Sequence, residues 1–401
     1  MGSPAGTPTG ALAPGRLGPL TLRNRIVKAA TFEGASPRGR VTDRLVEFHR
    51  EVARGGVGLT TVAYCAVNPA GRVQRHCLVL DADTARDLRR VTDAAHAEGA
   101  AVAAQLGHAG LVADARSNGR KSLAPSRRFS PPAKGFVPAA TVADLEQVRA
   151  DFVDAARCAV DAGFDAVEVH LGHGYLLSSF LSPLLNRRTD DYGGSLDNRM
   201  RFPLSVLRAV RDAVGARLAV TAKLNMSDGV AGGLWLDESV EVARRIESEG
   251  LLDAIELSGG SSLQNAMYFF RGDVPLVEMM QTQPRYVRPG MRLIAPRLFP
   301  SYPFEEGFFL PFARQFRAAL SMPLIYLGGV NRRSTADDVV GEGFDLVAMG
   351  RALLREPDLV RTWEKGERDE GLCVHCNKCM PTIYSGTRCV LVETAPPNLT
   401  A

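Results

Sequence analysis

The densest group of reactive side chains is Val-Glu-Val-His170-Leu-Gly-His173-Gly-Tyr175, two imidazoles and a phenol closing a short apolar run. Neutral imidazoles can donate hydrogen bonds to a carbonyl oxygen, and a phenol can supply a proton. A zinc site or a pair of buried core histidines competes with this assignment, but three such groups at one strand end favour chemistry. Gln105 ends another apolar run and offers both a donor and an acceptor. Lys223 closes Ala-Val-Thr-Ala-Lys, where an unpaired ammonium would be costly, so an anionic partner is expected. Taken singly, Gln105 and Lys223 fit satisfied polar residues at a rim equally well. Two later apolar runs end in Gly328-Gly329 and Gly350-Arg351. Glycines allow close backbone approach and an arginine adds a charge-assisted bond, which together suit a phosphate.

Elements that could carry these groups alternate along the chain. Strands are expected at Ile26–Thr31, Gly58–Tyr64, Ala101–Leu106, Ala166–His170, Ala219–Leu224, Ala254–Ser258, Leu324–Leu327 and Leu346–Met349. Helical periodicity marks Asp43–Arg54, Thr84–Glu98, Leu145–Ala162, Asp197–Val214, Asp237–Glu249, Pro311–Leu320, Ser334–Val340 and Leu353–Trp363. Several helix-to-strand junctions carry Gly before an apolar run, as in Asp161-Ala-Gly-Phe164. This alternation predicts an α/β fold, a (β/α)8 barrel with loop insertions, over a doubly wound open sheet. No strand is followed by a GxGxxG turn, which weakens the open sheet further. Residues 110–140 and 260–310 break the rhythm and are expected to wall or cover the site, since loops after barrel strands build the active face.

Composition bounds the function. The 401 residues are 45% hydrophobic and 23% charged, and 48 Lys plus Arg against 44 Asp plus Glu leave a net charge of +4. The basic residues are dispersed, so nucleic-acid binding has little support. No apolar run reaches the ~18 residues needed to span a bilayer. Residues 1–15 read as a flexible tail and not as a signal peptide, so a cytoplasmic enzyme is expected. The domain plan is that tail, a barrel over 16–365 and a Cys-rich segment over 366–401.

The run from His170 to Arg199, with Asn24-Arg-Ile-Val, Gln105-Leu-Gly-His-Ala-Gly and Val347-Ala-Met-Gly-Arg351, resembles the Old Yellow Enzyme family over roughly residues 12–390. The resemblance implies FMN across the barrel mouth. Gln105 would hold its pyrimidine, Lys223 would lie near N1 and O2, and Gly328, Gly329, Gly350 and Arg351 would bind its phosphate. Ala29, Ala30, Thr31 and Ala63 would also lie against the cofactor. His170 and His173 would grip a carbonyl oxygen, and Tyr175 would be the proton donor. A cation at N1 stabilises the reduced, anionic flavin. Three features depart from the family pattern. Lys223 replaces a common arginine, keeping the charge but losing the fork. Ala29-Ala-Thr-Phe32 replaces a Pro-Met-Thr or Pro-Met-Cys run, putting Phe32 where relatives place a flavin-tuning Thr or Cys. The 260–310 insertion is long for the simplest members.

Four of the seven cysteines, Cys373, Cys376, Cys379 and Cys389, crowd the C-terminal segment, while Cys65, Cys77 and Cys158 are scattered and expected to be inert. Their spacing suits a 4Fe-4S cluster, with zinc or plain free thiols as alternatives. The first three spacings resemble the iron–sulfur segment of the trimethylamine dehydrogenase and 2,4-dienoyl-CoA reductase branch, whose final gap is longer. The nucleotide-binding region that follows in those relatives is expected to be missing here.

The resemblance therefore implies NAD(P)H-driven reduction of an alkene conjugated to a carbonyl, with hydride from flavin N5 and a proton from Tyr175. The alternatives are a flavin/iron–sulfur dehydrogenase of an amine-like donor and a non-catalytic flavin-binding subunit. A small-molecule substrate is expected, with a homo-oligomer or an electron-transfer partner as further options.

Overall fold

The computed structural model describes residues 9–392, apart from positions 283, 284, 286, 287, 291, 293, 294 and 296–298. Eight parallel strands close into a barrel: β1 Ile26–Lys28, β2 Leu59–Ala66, β3 Ala101–Gly107, β4 Ala166–Leu171, β5 Ala219–Asn225, β6 Ala254–Ser258, β7 Leu324–Leu327 and β8 Leu346–Met349. Pairing runs in sequence order around the ring, and β8 returns to β1 through Val347↔Ile26. The crossover helices are α1 Asp43–Arg54, α2 Ala82–Ala97, α3 Val142–Asp161, α4 Leu196–Val214, α5 Leu236–Ser248, α6 Leu310–Ala319, α7 Arg333–Gly341 and α8 Leu359–Lys365. Strands β2, β4, β5, β6 and β8 are buried along their whole length, as apolar runs enclosed on both faces must be.

Local chemistry sets the helix starts. Asp81 with Thr84 and Thr141 with Asp144 form reciprocal capping boxes at the heads of α2 and α3, satisfying N–H groups that the first turn would otherwise orphan. The expected single helix over Leu353–Trp363 is instead two, Arg351–Arg355 and α8. Pro357 lies between them, and its missing N–H ends the first.

A hairpin, Gly15–Leu17 with Leu20–Leu22, closes the amino-terminal end of the barrel. Its Leu17 and Leu22 pack with Val27, Leu59, Ala103, Ala166, Ala219 and Ala254. Within the segment expected to be a flexible tail, Gly10–Leu12 form a 3-10 turn; Ala11 is buried and its N–H donates to Asp337 of α7. The rest of that tail, residues 1–8, lies outside the described residues. Residues 110–140 carry a short antiparallel hairpin, Arg128–Ser130 with Gly135–Val137. Among the described residues no helix is long and apolar enough to cross a membrane.

Candidate active site

Strand periodicity assembles the polar floor of the site. Side chains two apart share a face, so Ala103 and Gln105 on β3, Ala166, Glu168 and His170 on β4, Ala219, Thr221, Lys223 and Asn225 on β5, and Ala254, Glu256 and Ser258 on β6 form inward columns. In-register pairs then join them: Gln105↔Glu168, Lys223↔His170, Lys223↔Glu256 and Asn225↔Ser258. Gln105 Nε2 donates to Glu168 Oε1 at 2.6 Å. Lys223 Nζ donates to Glu256 and lies 3.4 Å from Glu168. The anionic partner expected for Lys223 is thus a pair of carboxylates, and all three groups are buried. Burial alone would lower the Lys223 pKa, but Glu168 and Glu256 more than offset it and the ammonium is held charged. Burial, with Glu168 beside it, pushes Glu256 up to about 7.

Above this layer stand the expected catalytic groups, packed ring to ring. His170 lies 5.1 Å from His173 and 4.4 Å from Tyr175 between centroids, and Tyr64 flanks Tyr175 at 5.5 Å. Gly172 N–H donates to His170 Nδ1 at 3.1 Å, which puts the imidazole proton on Nε2 and makes that nitrogen a donor. His173 adopts a left-handed backbone (φ 61°), its N–H donates to Asn225 Oδ1, and its Nε2 lies 2.8 Å from Ser258 Oγ. Burial, aided by His173 and Lys223, drives the His170 pKa well below the ordinary histidine value. Burial, then Lys223, lowers His173 to about 3. Both rings are therefore neutral near pH 7, and each can still donate one N–H, as His170 does from Nε2.

These groups open on one cavity of about 290 Å³, lined also by Ala29, Ala30, Thr31, Phe32, Gln105 and Lys223 from the strand ends and by Gly328, Gly329, Gly350 and Arg351 from the last two strands. Thr31 and Phe32 both reach it, so the shifted register leaves a hydroxyl and a ring side by side. Lys28 donates to Thr31 Oγ1 at 2.7 Å from below. Ala63 is the exception among the expected cofactor contacts: it is buried off the cavity wall, its N–H donating to the Glu33 carboxylate at 3.0 Å, and its neighbour Tyr64 lines the cavity instead. Gly328 and Gly329 lie close against aromatic rings, since an added Cβ would come within 2.6 Å of Phe309 and 2.4 Å of Phe308. At Gly350 an added Cβ would meet only Thr31 Cγ2, at 3.6 Å, which leaves open backbone beside Arg351.

A profile of the NADH:flavin oxidoreductase / NADH oxidase family matches residues 12–257. The chain belongs to this family. It is 64% identical to a 4,4'-dithiodibutanoate disulfide reductase of Rhodococcus erythropolis over 94% of both chains. It is 34% identical to a metal reductase of Desulforamulus reducens over 93% of this chain, which spans only 51% of that longer protein. Among solved structures, an old yellow enzyme homologue from Zymomonas mobilis superposes with a TM-score of 0.71 at 21% identity, covering 92% of this chain and 96% of that one. Morphinone reductase superposes with a TM-score of 0.69 at 25% identity, over 91% and 93% of the two chains. The chain is accordingly an oxidoreductase built on the flavin-binding barrel of its family.

The family implies a flavin, and the residues present fit one. The cavity offers an amide (Gln105), a charged ammonium (Lys223), open backbone at Gly350 and a guanidinium at Arg351. Arg351 Nη1 donates to Arg271 O at 2.7 Å and to Asn377 Oδ1, and no acceptor for its other nitrogens is found among the described residues.

The Cys-rich segment folds back against this wall. Cys373, Cys376, Cys379 and Cys389 line one small cavity of about 20 Å³ with Arg351 and Arg355, and Cys379 also reaches the large cavity. The donor chemistry fits a thiolate-bound metal: there are four thiols, no carboxylate among the lining residues, and a sealed Arg355 Nε without an acceptor. Their spacing is a different matter. Among the described residues no group of three or more His, Cys, Asp or Glu stands close enough to hold a metal ion. Burial pushes Cys379 up to about 11. Cys65 and Cys77 are buried with raised pKa values, as expected of inert thiols, whereas Cys158 is only half-buried.

Sequence reasoning missed Glu168 and Glu256, although a carboxylate inside each apolar strand run was the available signal. It also missed His375, which stacks on Phe304 at 3.3 Å and enters the cavity from between two cysteines. That contact joins distant segments and leaves no local trace in the sequence.

Proposed function

We propose that this chain is an FMN-dependent, NAD(P)H-driven reductase that cleaves the S–S bond of a small organic disulfide. The observation that carries the proposal is the 64% identity to a disulfide reductase across nearly the whole of both chains. Bound in the large cavity, FMN would supply the two-electron relay between NAD(P)H and substrate. Gln105 and Lys223 would hold its pyrimidine edge, and Gly350 with Arg351 its phosphate. Ala29, Ala30, Thr31, Phe32 and Tyr64 would form the apolar wall beside it. The Nε2–H of neutral His170, with His173, orients a substrate heteroatom, and Tyr175 protonates the group released. The balance is one NAD(P)H and one proton consumed per disulfide, with two thiols released.

The neutral histidine pair also favours a second reading, reduction of an alkene conjugated to a carbonyl, in which the oxygen takes the hydrogen bonds and Tyr175 protonates the α-carbon. Anaerobic turnover with NAD(P)H separates the two. Two thiols per NAD(P)H consumed with an alkyl disulfide supports the first reading. Turnover with 2-cyclohexenone and none with disulfides would replace it by the second.

Cys373, Cys376, Cys379 and Cys389 are proposed as the ligands of a 4Fe-4S cluster. Its support is the four thiols sharing one cavity with two arginines, and to bind it the thiols must draw closer together than they stand in the structure. Iron and sulfide analysis of anaerobically purified protein tests it, and zinc in their place would give the alternative centre.

A further inference from the structure

The two histidines of the clamp are held by partners of different kinds. At His170 the partner of Nδ1 is the backbone N–H of Gly172, which can only donate. At His173 the partner of Nε2 is the Ser258 hydroxyl, 2.8 Å away, which can donate or accept. The direction of that bond decides which nitrogen of His173 carries the proton.

The position of the ring is already fixed. Asn225, at the end of β5, accepts the His173 N–H on Oδ1 at 3.1 Å, while its Nδ2 donates to Asp228 Oδ1 and Gly260 O. The His173 carbonyl accepts from Ser262 N–H at 3.0 Å. Phe269 stacks on the ring with centroids 4.5 Å apart and planes 17° apart, and His170 meets it edge to face at 5.1 Å. Ser258 ends β6 in register with Asn225, and so reaches Nε2. Only the proton remains to be placed.

Neutral His173 has one ring N–H and Ser258 has one O–H, so the contact between them uses one hydrogen and leaves one over. Ser258 is buried, and among the described residues its hydroxyl has no acceptor besides His173 Nε2. Were the imidazole the donor, the serine hydrogen would be buried without a partner, which is costly. With the serine as donor, the remaining hydrogen sits on His173 Nδ1. That nitrogen has no partner among the described residues and is not sealed off, and both side chains line the large cavity.

We infer that Ser258 is a positioning residue: it donates to His173 Nε2 and holds the ring as its Nδ1–H tautomer, which keeps a second N–H available to substrate beside that of His170. The inference rests on the clamp of the proposed function and not on which bond is reduced, since a sulfur leaving as thiolate and an enolate oxygen both accept such a donor.

The test is nitrogen-15 NMR of histidine-labelled holoenzyme, with the His173 signals assigned by their absence in His173→Gln. In wild type, His173 should be protonated on Nδ1 and bare on Nε2. Ser258→Ala should move that proton wholly or partly to Nε2 and lower kcat/KM on the order of 10- to 100-fold, with FMN still bound and the His170 signals unchanged. Ser258→Thr, which keeps the hydroxyl, should restore both the tautomer and the turnover. Wild-type His173 protonated on Nε2, or an unchanged tautomer in folded Ser258→Ala, would overturn the inference. A shifted tautomer with wild-type kcat/KM would overturn it as well. Wild type that cleaves no disulfide is a separate failure, of the proposed function; the tautomer is read without substrate, and the rate is then read on 2-cyclohexenone.

Discussion

The two walls of the cavity are built on opposite principles. On the β3–β6 side these buried polar groups have their partners in the adjacent strand: Gln105 with Glu168, Lys223 with Glu168 and Glu256. On the roof, made by the β6–β7 connection and the Cys-rich segment, rings stack on rings, while Arg271 and Arg355 keep sealed nitrogens without acceptors. Strand pairing fixes geometry to the register of the sheet, so the floor is complete by itself. The roof is assembled from loops, and among the described residues the sealed Nε atoms of Arg271 and Arg355 find no acceptor in it.

Mutations on the floor should have the largest effects. Replacing both His170 and His173 by Ala is expected to lower kcat/KM on the order of 100- to 10,000-fold while flavin stays bound, because the orienting donors are lost and not the cofactor site. Flavin loss in parallel would make the pair structural. Lys223→Met leaves two buried carboxylates uncompensated and is expected to cost about 3–5 kcal/mol in denaturant unfolding. Adding Glu256→Gln should recover part of that loss, and a double variant no more stable than the single would break the proposed charge layer.

The boundary between the walls comes next. Arg351→Ala should weaken FMN binding by about 1.5–3 kcal/mol, read by fluorescence titration, if its remaining donors reach the phosphate. Unchanged affinity would remove Arg351 from the phosphate site.

Acid probes the floor more gently. His108 and His173 are lowered by burial to about 4 and about 3, and His170 is lowered too. The folded state then binds fewer protons than the unfolded state below the unfolded pKa. Stability is therefore fully present above pH ~6.5 and falls as pH drops toward the folded values, by up to ~1.4 kcal/mol per pH unit per histidine. Thermal melts between pH 7 and 5 should show the decline, and His173→Gln should flatten it. A melting temperature independent of pH would contradict the burial argument.

The smallest effect on turnover is expected from the roof. Cys376→Ser should deplete iron and lower the melting temperature, yet leave NAD(P)H-driven reduction largely intact in the protein that stays folded. Turnover lost with flavin still bound would give the cysteines an electron-transfer role and erase the contrast between the walls.

The same contrast explains what was legible in the sequence. The barrel strands follow from apolar runs of matching length, and β6, β7 and β8 coincide with their expected bounds, Ala254–Ser258, Leu324–Leu327 and Leu346–Met349. His170, His173, Tyr175, Gln105 and Lys223 meet at one cavity because strand-end position is a local property. Ala63 is not among the residues that line the cavity, where its neighbour Tyr64 stands. Arg271 and His375 were not legible, since their surroundings come from segments far apart in the chain.

Tyr175, beside His170, is proposed to deliver the proton to the reduced substrate and to take no part in accepting electrons from NAD(P)H. Anaerobic stopped-flow of Tyr175→Phe, followed at the flavin absorbance, separates the half-reactions. Reduction by NAD(P)H should proceed at the wild-type rate, while reoxidation by the disulfide slows on the order of 100-fold or more. Equal slowing of both halves, or a wild-type rate of reoxidation, would contradict the account.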